Sequence, residues 1–171
     1  MVDVSIAASL AAVAVLLAAS AFFSSTEIAL FSLTPSRLDA LAGEDARGPE
    51  VKRLRDDPHR LLVTILVGNN VVNVALTSIL TVLLVAYLPP GFAVAGTTLV
   101  ATTLVLVFGE IVPKSWGLAN ADSWALAVAR PVRYIGLVLW PLVAFFDVLT
   151  RSLGGATGGE PDIERELLEE E

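Results

Sequence analysis

Three long apolar stretches, set apart by polar segments, dominate the pattern along the chain. The first runs from Val4 to Thr26, because no charged residue occurs between Asp3 and Glu27. The other two share the interval between Arg60 and Glu110, which also contains no charge. A helix needs roughly 20 apolar residues to cross about 30 Å of hydrocarbon. Each stretch meets that length, so the sequence predicts three membrane-spanning helices.

The bounds of the predicted spans follow from the charges and prolines around them. The first helix continues beyond its apolar part to Phe31, and the second span covers 60–88. The uncharged segment Pro89-Pro90-Gly91 is a tight loop, after which the third span covers 92 to about 111. Because proline has no backbone N–H and clashes with the preceding turn, we expect the third span to end at Pro113-Lys114.

Short helices are predicted between the first two spans. Thr34-Pro35 has the form of an N-cap followed by a first-turn proline, and it opens a helix over 36–46 that we expect at the membrane surface. Gly48-Pro49 ends this helix, and 50–55 forms a short charged one. Asp57-Pro58 is a second cap-plus-proline signal, which starts the second span.

The segment from 134 to 150 is the ambiguous one. Its uncharged core, from Tyr134 to Phe146, is shorter than a span requires and is interrupted by Trp140-Pro141. Arg133 precedes this core and Arg151 follows it, so the charges do not favour placing its two ends on opposite sides of a membrane. We expect the segment to re-enter the membrane or to lie in the interface, with a fourth span as the alternative.

The chain divides into two parts by composition. Residues 1–153 form the predicted membrane domain, an all-α integral membrane unit with three transmembrane helices plus short interfacial or re-entrant helices. Residues 154–171 begin with a flexible glycine-rich linker, 154–159, and continue as a short acidic helix over 162–171. Because that helix buries nothing, we expect a further cytosolic domain to follow it.

Composition agrees with a membrane protein and narrows its chemistry. Of the 171 residues, 55% are hydrophobic and 17% are charged, against about 25% charged in soluble domains, which excludes a water-soluble globule and a disordered chain. The chain has no cysteine and one histidine. Thiolate zinc sites are thereby excluded, and oxygen ligands, which favour hard cations, remain. The net charge of −7 arises mainly from residues 160–171, the acidic tail, and nothing resembles a nucleic-acid-binding surface.

Positive charges predict the topology. Cytoplasmic loops of membrane proteins carry an excess of lysine and arginine. The loop at Pro89 has no basic residue, which places it outside together with the N-terminus. The loop between the first two spans is rich in basic residues and is called the base-rich loop. It then lies in the cytoplasm together with Lys114 and the C-terminus, as in a multi-pass protein of the cell membrane. The basic residues of the base-rich loop are Arg37, Arg47, Lys52, Arg53, Arg55 and Arg60.

Polar side chains inside the predicted spans supply the candidate chemistry. Ser20, Ser24 and Glu27 have i, i+4, i+7 spacing, which places them on one helical face. Asn69 and Asn73 have i, i+4 spacing in the second span. The simpler interpretation is structural, since serines can bond back to their own turn and asparagines can join helices.

The end of the third span adds a carboxylate. Glu110 follows Gly109, and Pro113 has no N–H to donate to the Gly109 carbonyl four residues earlier. A carboxylate in hydrocarbon costs about 2.5 kcal/mol or more and normally marks an ion or substrate path, although one at a span end can also reach water. Because all three spans contribute oxygen atoms, we infer a cation site. The residue types alone suit Mg²⁺, Na⁺ or Ca²⁺.

Catalytic motifs are not found in the sequence. The single histidine, His59, lies between Pro58 and Arg60 beside the second span, and no Gly-x-Ser-x-Gly motif occurs. Because the sequence offers no pair of base and nucleophile, we do not expect an enzyme.

Three sequence motifs resemble those of one membrane-protein family. Residues 20–30, SAFFSSTEIAL, are similar to the opening motif of the CorC/cyclin M (CNNM) family of magnesium transporters. Residues 62–73, LVTILVGNNVVN, and 109–114, GEIVPK, are similar to two further motifs of that family, in the same order. Each motif alone is weak, but together they are specific, and the resemblance covers residues 4–153.

The resemblance implies a fold, a function and a set of ligands. It implies a homodimer, in which each copy has three spans and a belt of short helices on the cytoplasmic side. It implies that the domain carries Mg²⁺ outward, coupled to Na⁺ entry, and a non-transporting membrane cation sensor or scaffold is the alternative. Family members continue into a cytosolic CBS-pair domain that binds adenine nucleotide, so nucleotide binding would need that domain. The implied cation ligands are Ser20, Ser24, Asn69, Asn73, Glu110 and the carbonyl of Gly109.

Overall fold

The computed structural model describes residues 2–146 and Val148, and every element within them is a helix. The prediction of an all-α membrane domain with three spans is confirmed for this part of the chain. The predictions for the linker and the acidic helix at 154–171 lie outside it. The helices long and apolar enough to cross a membrane are Ile6–Phe31, Pro58–Val85 and Gly91–Ala119.

Two uninterrupted helices and one composite helix form the three spans. The first span is α1 (Val2–Phe31), and the second is α4 (Pro58–Val85). The third consists of α5 (Pro90–Leu104), a π-helical segment (Val105–Ile111) and α6 (Val112–Ala119). Because α1 contacts α4, the π segment and α6, it is the central helix of the domain.

The third span continues through Pro113 to Ala119, so the prediction that it ends at Pro113-Lys114 is wrong. In a regular α-helix, proline crowds the carbonyl of the preceding turn. Here the π segment stands just before the proline, and Val112 donates its N–H to the carbonyl of Val107, five residues earlier. This wider turn accommodates an extra residue, which relieves the crowding and lets the helix continue.

Two short helices join α1 to α4, as the sequence predicts: α2 (Pro35–Glu44) and α3 (Gly48–Arg55). The backbone N–H of Arg37 donates to the Thr34 hydroxyl at 3.3 Å, which caps α2. The backbone N–H of Arg60 donates to Asp57 at 3.0 Å, which caps α4. Both predicted caps are therefore confirmed.

Helix α7 (Ala121–Val138) packs its buried residues, such as Ala125 and Val128, among the other helices. It contacts α1, α3 and α4. A bend of 75° separates it from the short α8 (Trp140–Phe146). The expected interruption at Trp140-Pro141 is confirmed. The pair reaches spanning length only if the two helices are counted as one broken span.

Ion pairs position the short helices on the base-rich side. Arg37 of α2 lies 2.8 Å from Asp122 of α7. In the turn between α2 and α3, the guanidinium and backbone N–H of Arg47 bind Asp45 and lower the pKa of that carboxyl from 3.8 to about 2. These side chains are substantially exposed, so each pair adds little stability. The first pair links α2 to α7, and the second lies within the turn between α2 and α3.

Two apolar clusters hold the helices together. The larger one joins α1, α2, α3, α4 and α7, and Leu30, Val51 and Ile65 are almost fully buried in it. The smaller one joins α1, α4 and α5 around Val13 and Leu76. Many other large apolar side chains of the spans are exposed, as expected for surfaces that contact lipid.

Candidate cation site

The three sequence motifs meet at Ser20. This residue of α1 is fully buried, and its hydroxyl donates to Oδ1 of Asn69 on α4 at 3.2 Å. Gly109 of the π segment lies against the same side chain, because a Cβ added there would stand 2.7 Å from Ser20 Oγ. The glycine allows the π segment to approach the serine, and all three spans thus contact one another at a single polar point.

An open groove of about 370 Å³ extends between α4 and the third span. Asn73 and Glu110 both line it, and Glu110 is the charged residue of its wall. The rest of the wall combines hydroxyl and apolar groups: Thr77, Thr98, Ala101, Thr102, Val105 and Leu106. The second asparagine of α4 and the carboxylate of the π segment therefore share one space.

Two of the predicted ligands have buried oxygens without a hydrogen-bond partner among the described residues. These are Oγ of Ser24, whose residue is 1% exposed, and Oδ1 of Asn73. Leaving a buried polar atom unpaired costs about 1–3 kcal/mol, so each such atom needs an explanation. A cation would provide one, because hydroxyl and amide oxygens both have lone pairs to donate to it. Thr26 and Thr97 also have unpaired buried hydroxyls, and neither belongs to the predicted site.

The π segment carries both Gly109 and Glu110. In such a segment each N–H bonds to the carbonyl five residues earlier, and single π turns are frequent at functional sites. Pro113 follows within four residues and has no N–H to donate. The backbone around Glu110 therefore lacks regular α-helical pairing for two separate reasons. The role of the Gly109 carbonyl as a ligand stays a prediction.

Not every predicted ligand is joined to the others. Ser24 makes no hydrogen bond to Asn73 or Glu110, since its hydroxyl has no partner among the described residues. The described part of the chain also contains no group of three or more His, Cys, Asp or Glu side chains that could hold a metal. A cation at this place would rest on one carboxylate and several neutral oxygens.

Glu27, the acidic residue of the first motif, forms an ion pair. Its carboxylate lies 3.2 Å from Nζ of Lys114 on α6, and the two side chains are 27% and 42% exposed. The pair connects the end of α1 to the end of the third span. Helical spacing alone groups Glu27 with Ser20 and Ser24, but the base beside it neutralises the carboxylate and distinguishes it from Glu110.

Sequence reasoning missed the threonines of the groove. The hydroxyls of Thr77 and Thr98 donate to the carbonyls of Asn73 and Val94, at 2.9 and 3.0 Å, so their lone pairs remain directed away from the backbone. A signal was available, because Thr77 follows Asn73 by four residues and Thr102 follows Thr98 by four. Continuing the i, i+4 series along each span would have identified this polar face.

The chain is similar to known proteins over most of its length. The family described as the cyclin M transmembrane N-terminal domain matches residues 11–171. The chloroplastic DUF21 domain-containing protein At1g55930 of Arabidopsis thaliana is 39% identical over 129 residues, which cover 75% of this chain and 20% of that protein. The UPF0053 inner membrane protein YfjD of Escherichia coli is 32% identical over 146 residues, which cover 84% of this chain and 34% of that protein.

A third relative has a name that describes an activity. The polyamine export protein of Haemophilus influenzae is 28% identical over 151 residues, which cover 81% of this chain and 35% of that protein. The chain therefore spans between a fifth and about a third of the length of these three relatives.

Proposed function

This chain belongs to the cyclin M transmembrane domain family, and from that premise we propose that it exports Mg²⁺ in exchange for Na⁺ entry. The observation that carries the proposal is the groove in which Glu110 lies with Asn73, whose buried oxygen has no partner among the described residues. The ion binds there partly dehydrated. The residues proposed to hold it are Ser20, Ser24, Asn69, Asn73, Glu110 and the Gly109 carbonyl.

The ligand types suit a partly hydrated Mg²⁺. This ion prefers octahedral oxygen ligands at about 2.0–2.1 Å, keeps several of its waters and is usually held by one or two carboxylates. Glu110 supplies negative charge that offsets the loss of part of the hydration shell. A groove of about 370 Å³ leaves room for the remaining waters.

We also propose that two copies form the working unit. Asn70, Thr77 and Ser78 are exposed on the surface of α4, which is a membrane span. Each of them donates to a carbonyl of its own helix, and because polar side chains in a membrane favour contacts between helices, a second copy on this face would supply further partners.

The proposed orientation follows from charge. The chain belongs to a family of multi-pass membrane proteins, and one relative is named as an inner membrane protein. We place this protein in the cell membrane with the N-terminus outside and the C-terminus in the cytoplasm. The base-rich loop with α2 and α3 supports this orientation.

A flux assay tests the proposal. The purified chain is reconstituted in liposomes that contain Mg²⁺, with and without an opposing Na⁺ gradient. We expect Mg²⁺ efflux that the Na⁺ gradient accelerates and that Glu110→Gln abolishes. Binding without flux would instead support the alternative of a membrane cation sensor or scaffold. Efflux that Glu110→Gln leaves unchanged would contradict the proposed site.

Polyamine export is the second candidate, and the similarity to a polyamine export protein favours it. A polyamine presents ammonium groups joined by methylene segments. The groove offers one carboxylate next to alternating hydroxyl and apolar groups, which can contact both parts. Labelled spermidine in the same liposomes distinguishes the two substrates. Spermidine flux that excess Mg²⁺ does not inhibit would favour the polyamine.

A further inference from the structure

A second pocket lies on the base-rich side of the molecule, between α3, α4 and α7. Its volume is about 370 Å³, and it shares no residue with the candidate cation site. Helix α4 begins at this pocket, so the pocket stands where the second span starts. Its charged lining residues are Glu50, Arg53, Asp57, Arg60 and Arg133.

The charges of this pocket do not cancel. Glu50 is only 17% exposed, and one carboxylate serves two guanidinium groups: Arg133 lies 3.0 Å and Arg53 lies 3.9 Å from its oxygens. Asp57 accepts the backbone N–H of Arg60 as the cap of α4. The Arg60 guanidinium forms no ion pair with any described residue. Three arginines therefore face two carboxylates, and the pocket keeps an excess positive charge.

Apolar surface adjoins these arginines. Leu61 and Val132 are buried at 4% and 2% exposure and form part of the pocket wall. Leu137 also lines the pocket but is 60% exposed, and its neighbour Val138 is 79% exposed. A soluble anion would satisfy the arginines and leave this apolar surface in contact with water. A lipid provides both an anionic headgroup and a hydrocarbon chain.

We propose that this pocket binds an anionic phospholipid from the leaflet on the base-rich side. The lipid phosphate binds Arg60 and Arg53, and an acyl chain covers Leu137. Basic pockets between transmembrane helices on the cytoplasmic side are suited to anionic lipid headgroups. The bound lipid would contact α3, α4 and α7, which also meet in the larger apolar cluster and are linked by the pair of Arg133 with Glu50. The proposal does not depend on the transport function.

Native mass spectrometry of the purified full chain tests the proposal. Phosphatidylglycerol and phosphatidylcholine with identical acyl chains are added separately. We expect the chain to retain phosphatidylglycerol preferentially, and Arg53→Gln/Arg60→Gln to weaken that retention by about tenfold or more. Both arginines are exposed at the surface, so the variant keeps the fold. Leu137→Ser should also weaken retention, because it removes the contact with the acyl chain.

The matched control is Lys52→Gln/Arg130→Gln, which removes two positive charges outside the pocket. We expect this control to retain phosphatidylglycerol as the parent does. Equal loss in the control, or full retention by the Arg53/Arg60 variant, overturns the proposal. Displacement of the lipid by inorganic phosphate would indicate a site for soluble anions. Displacement by a peptide of residues 160–171 would indicate a site for the acidic tail, and either result also overturns it.

Discussion

Glu110 is separated in sequence from other charges, since the nearest ones on either side are Arg60 and Lys114. Its carboxylate lines the groove, whereas Glu27 pairs with Lys114 at 3.2 Å. We predict that Glu110→Gln abolishes Mg²⁺ binding, because the amide keeps the shape but not the charge that offsets dehydration of the ion. Isothermal calorimetry on the purified protein measures this.

Glu27→Gln is the matched control for that substitution. It also removes a carboxylate that lies near the end of a span. We expect Mg²⁺ affinity to change little, because this carboxylate already pairs with Lys114. If Glu110→Gln binds as the parent does and Glu27→Gln does not, the site must be relocated to the Glu27–Lys114 pair.

The unpaired oxygens allow a graded prediction. Asn73→Ala and Ser24→Ala each remove one neutral oxygen that has no partner among the described residues. We expect each to weaken Mg²⁺ binding by about tenfold or less, because a water can replace the lost oxygen. A tenfold change in affinity corresponds to about the net free energy of one hydrogen bond. The same calorimetry measures the affinities. A loss as complete as that of Glu110→Gln would mean that no water reaches the position.

Sequence could identify the candidate ligands but not their partners. Ser20, Asn69 and Glu110 are conspicuous as polar residues in apolar spans. The hydrogen bond from Ser20 to Asn69 and the pair of Glu27 with Lys114 join different helices. Helical periodicity gives the face of one helix, but which faces meet depends on packing between helices, which a single span does not encode.

At the scale of elements, caps were predictable and the course of the third span was not. Thr34 and Asp57 act locally, so their cap signals can be read from a few residues. Pro113 has the same local signature as a helix end. The helix continues because the π segment before it relieves the crowding and because Pro113 and Gly117 are buried in contacts of α6 with α1.

Gly117 provides a test of that packing. A Cβ at this position would stand 2.5 Å from the carbonyl oxygen and 2.9 Å from the Cα of Ser25, so a backbone would have to move. We predict that Gly117→Ala destabilises the protein by about 1–3 kcal/mol, the usual cost of overpacking. Thermal unfolding followed by tryptophan fluorescence measures it.

Gly43→Ala is the control for this substitution, because nothing lies within 4 Å of a Cβ there. Gly43 is an exposed residue of α2, and alanine favours the helix more than glycine does. We expect an unchanged or slightly higher melting temperature. Equal melting temperatures for Gly117→Ala and the parent would contradict a close contact between Gly117 and the backbone of Ser25.

At the scale of the whole molecule, two small residues of the spans, which would allow close contact between two copies, are instead buried between the helices of one chain. Ser20 and Ala101 are buried at 0% and 5% exposure inside the helix bundle. The exposed polar side chains Asn70 and Ser78 of α4 instead favour a second copy on that face. We predict a dimer, which light scattering on the detergent-solubilised protein measures as twice the mass of 18.0 kDa. A monomer at micromolar concentration would contradict it.

The topology of the chain in the membrane can also be tested. We predict that position 53 and the acidic tail lie on the same side of the membrane as Lys114. Single cysteines at Arg53 and Glu160 report this cleanly, because the chain has no cysteine of its own. Labelling of the tail from outside while position 53 is protected would show that α7 and α8 together form a fourth span.

The π segment also determines which residues of the third span lie on the same face of the helix. Thr102 and Glu110 are eight residues apart, and a helical wheel at about 100° per residue puts them about 80° out of phase. Both line the same groove in the structure. A π turn advances each residue by a smaller angle, so the segment brings the carboxylate back into phase with the threonine. Inserting one residue between them would keep both side chains and still rotate Glu110 by about 100° away from the groove.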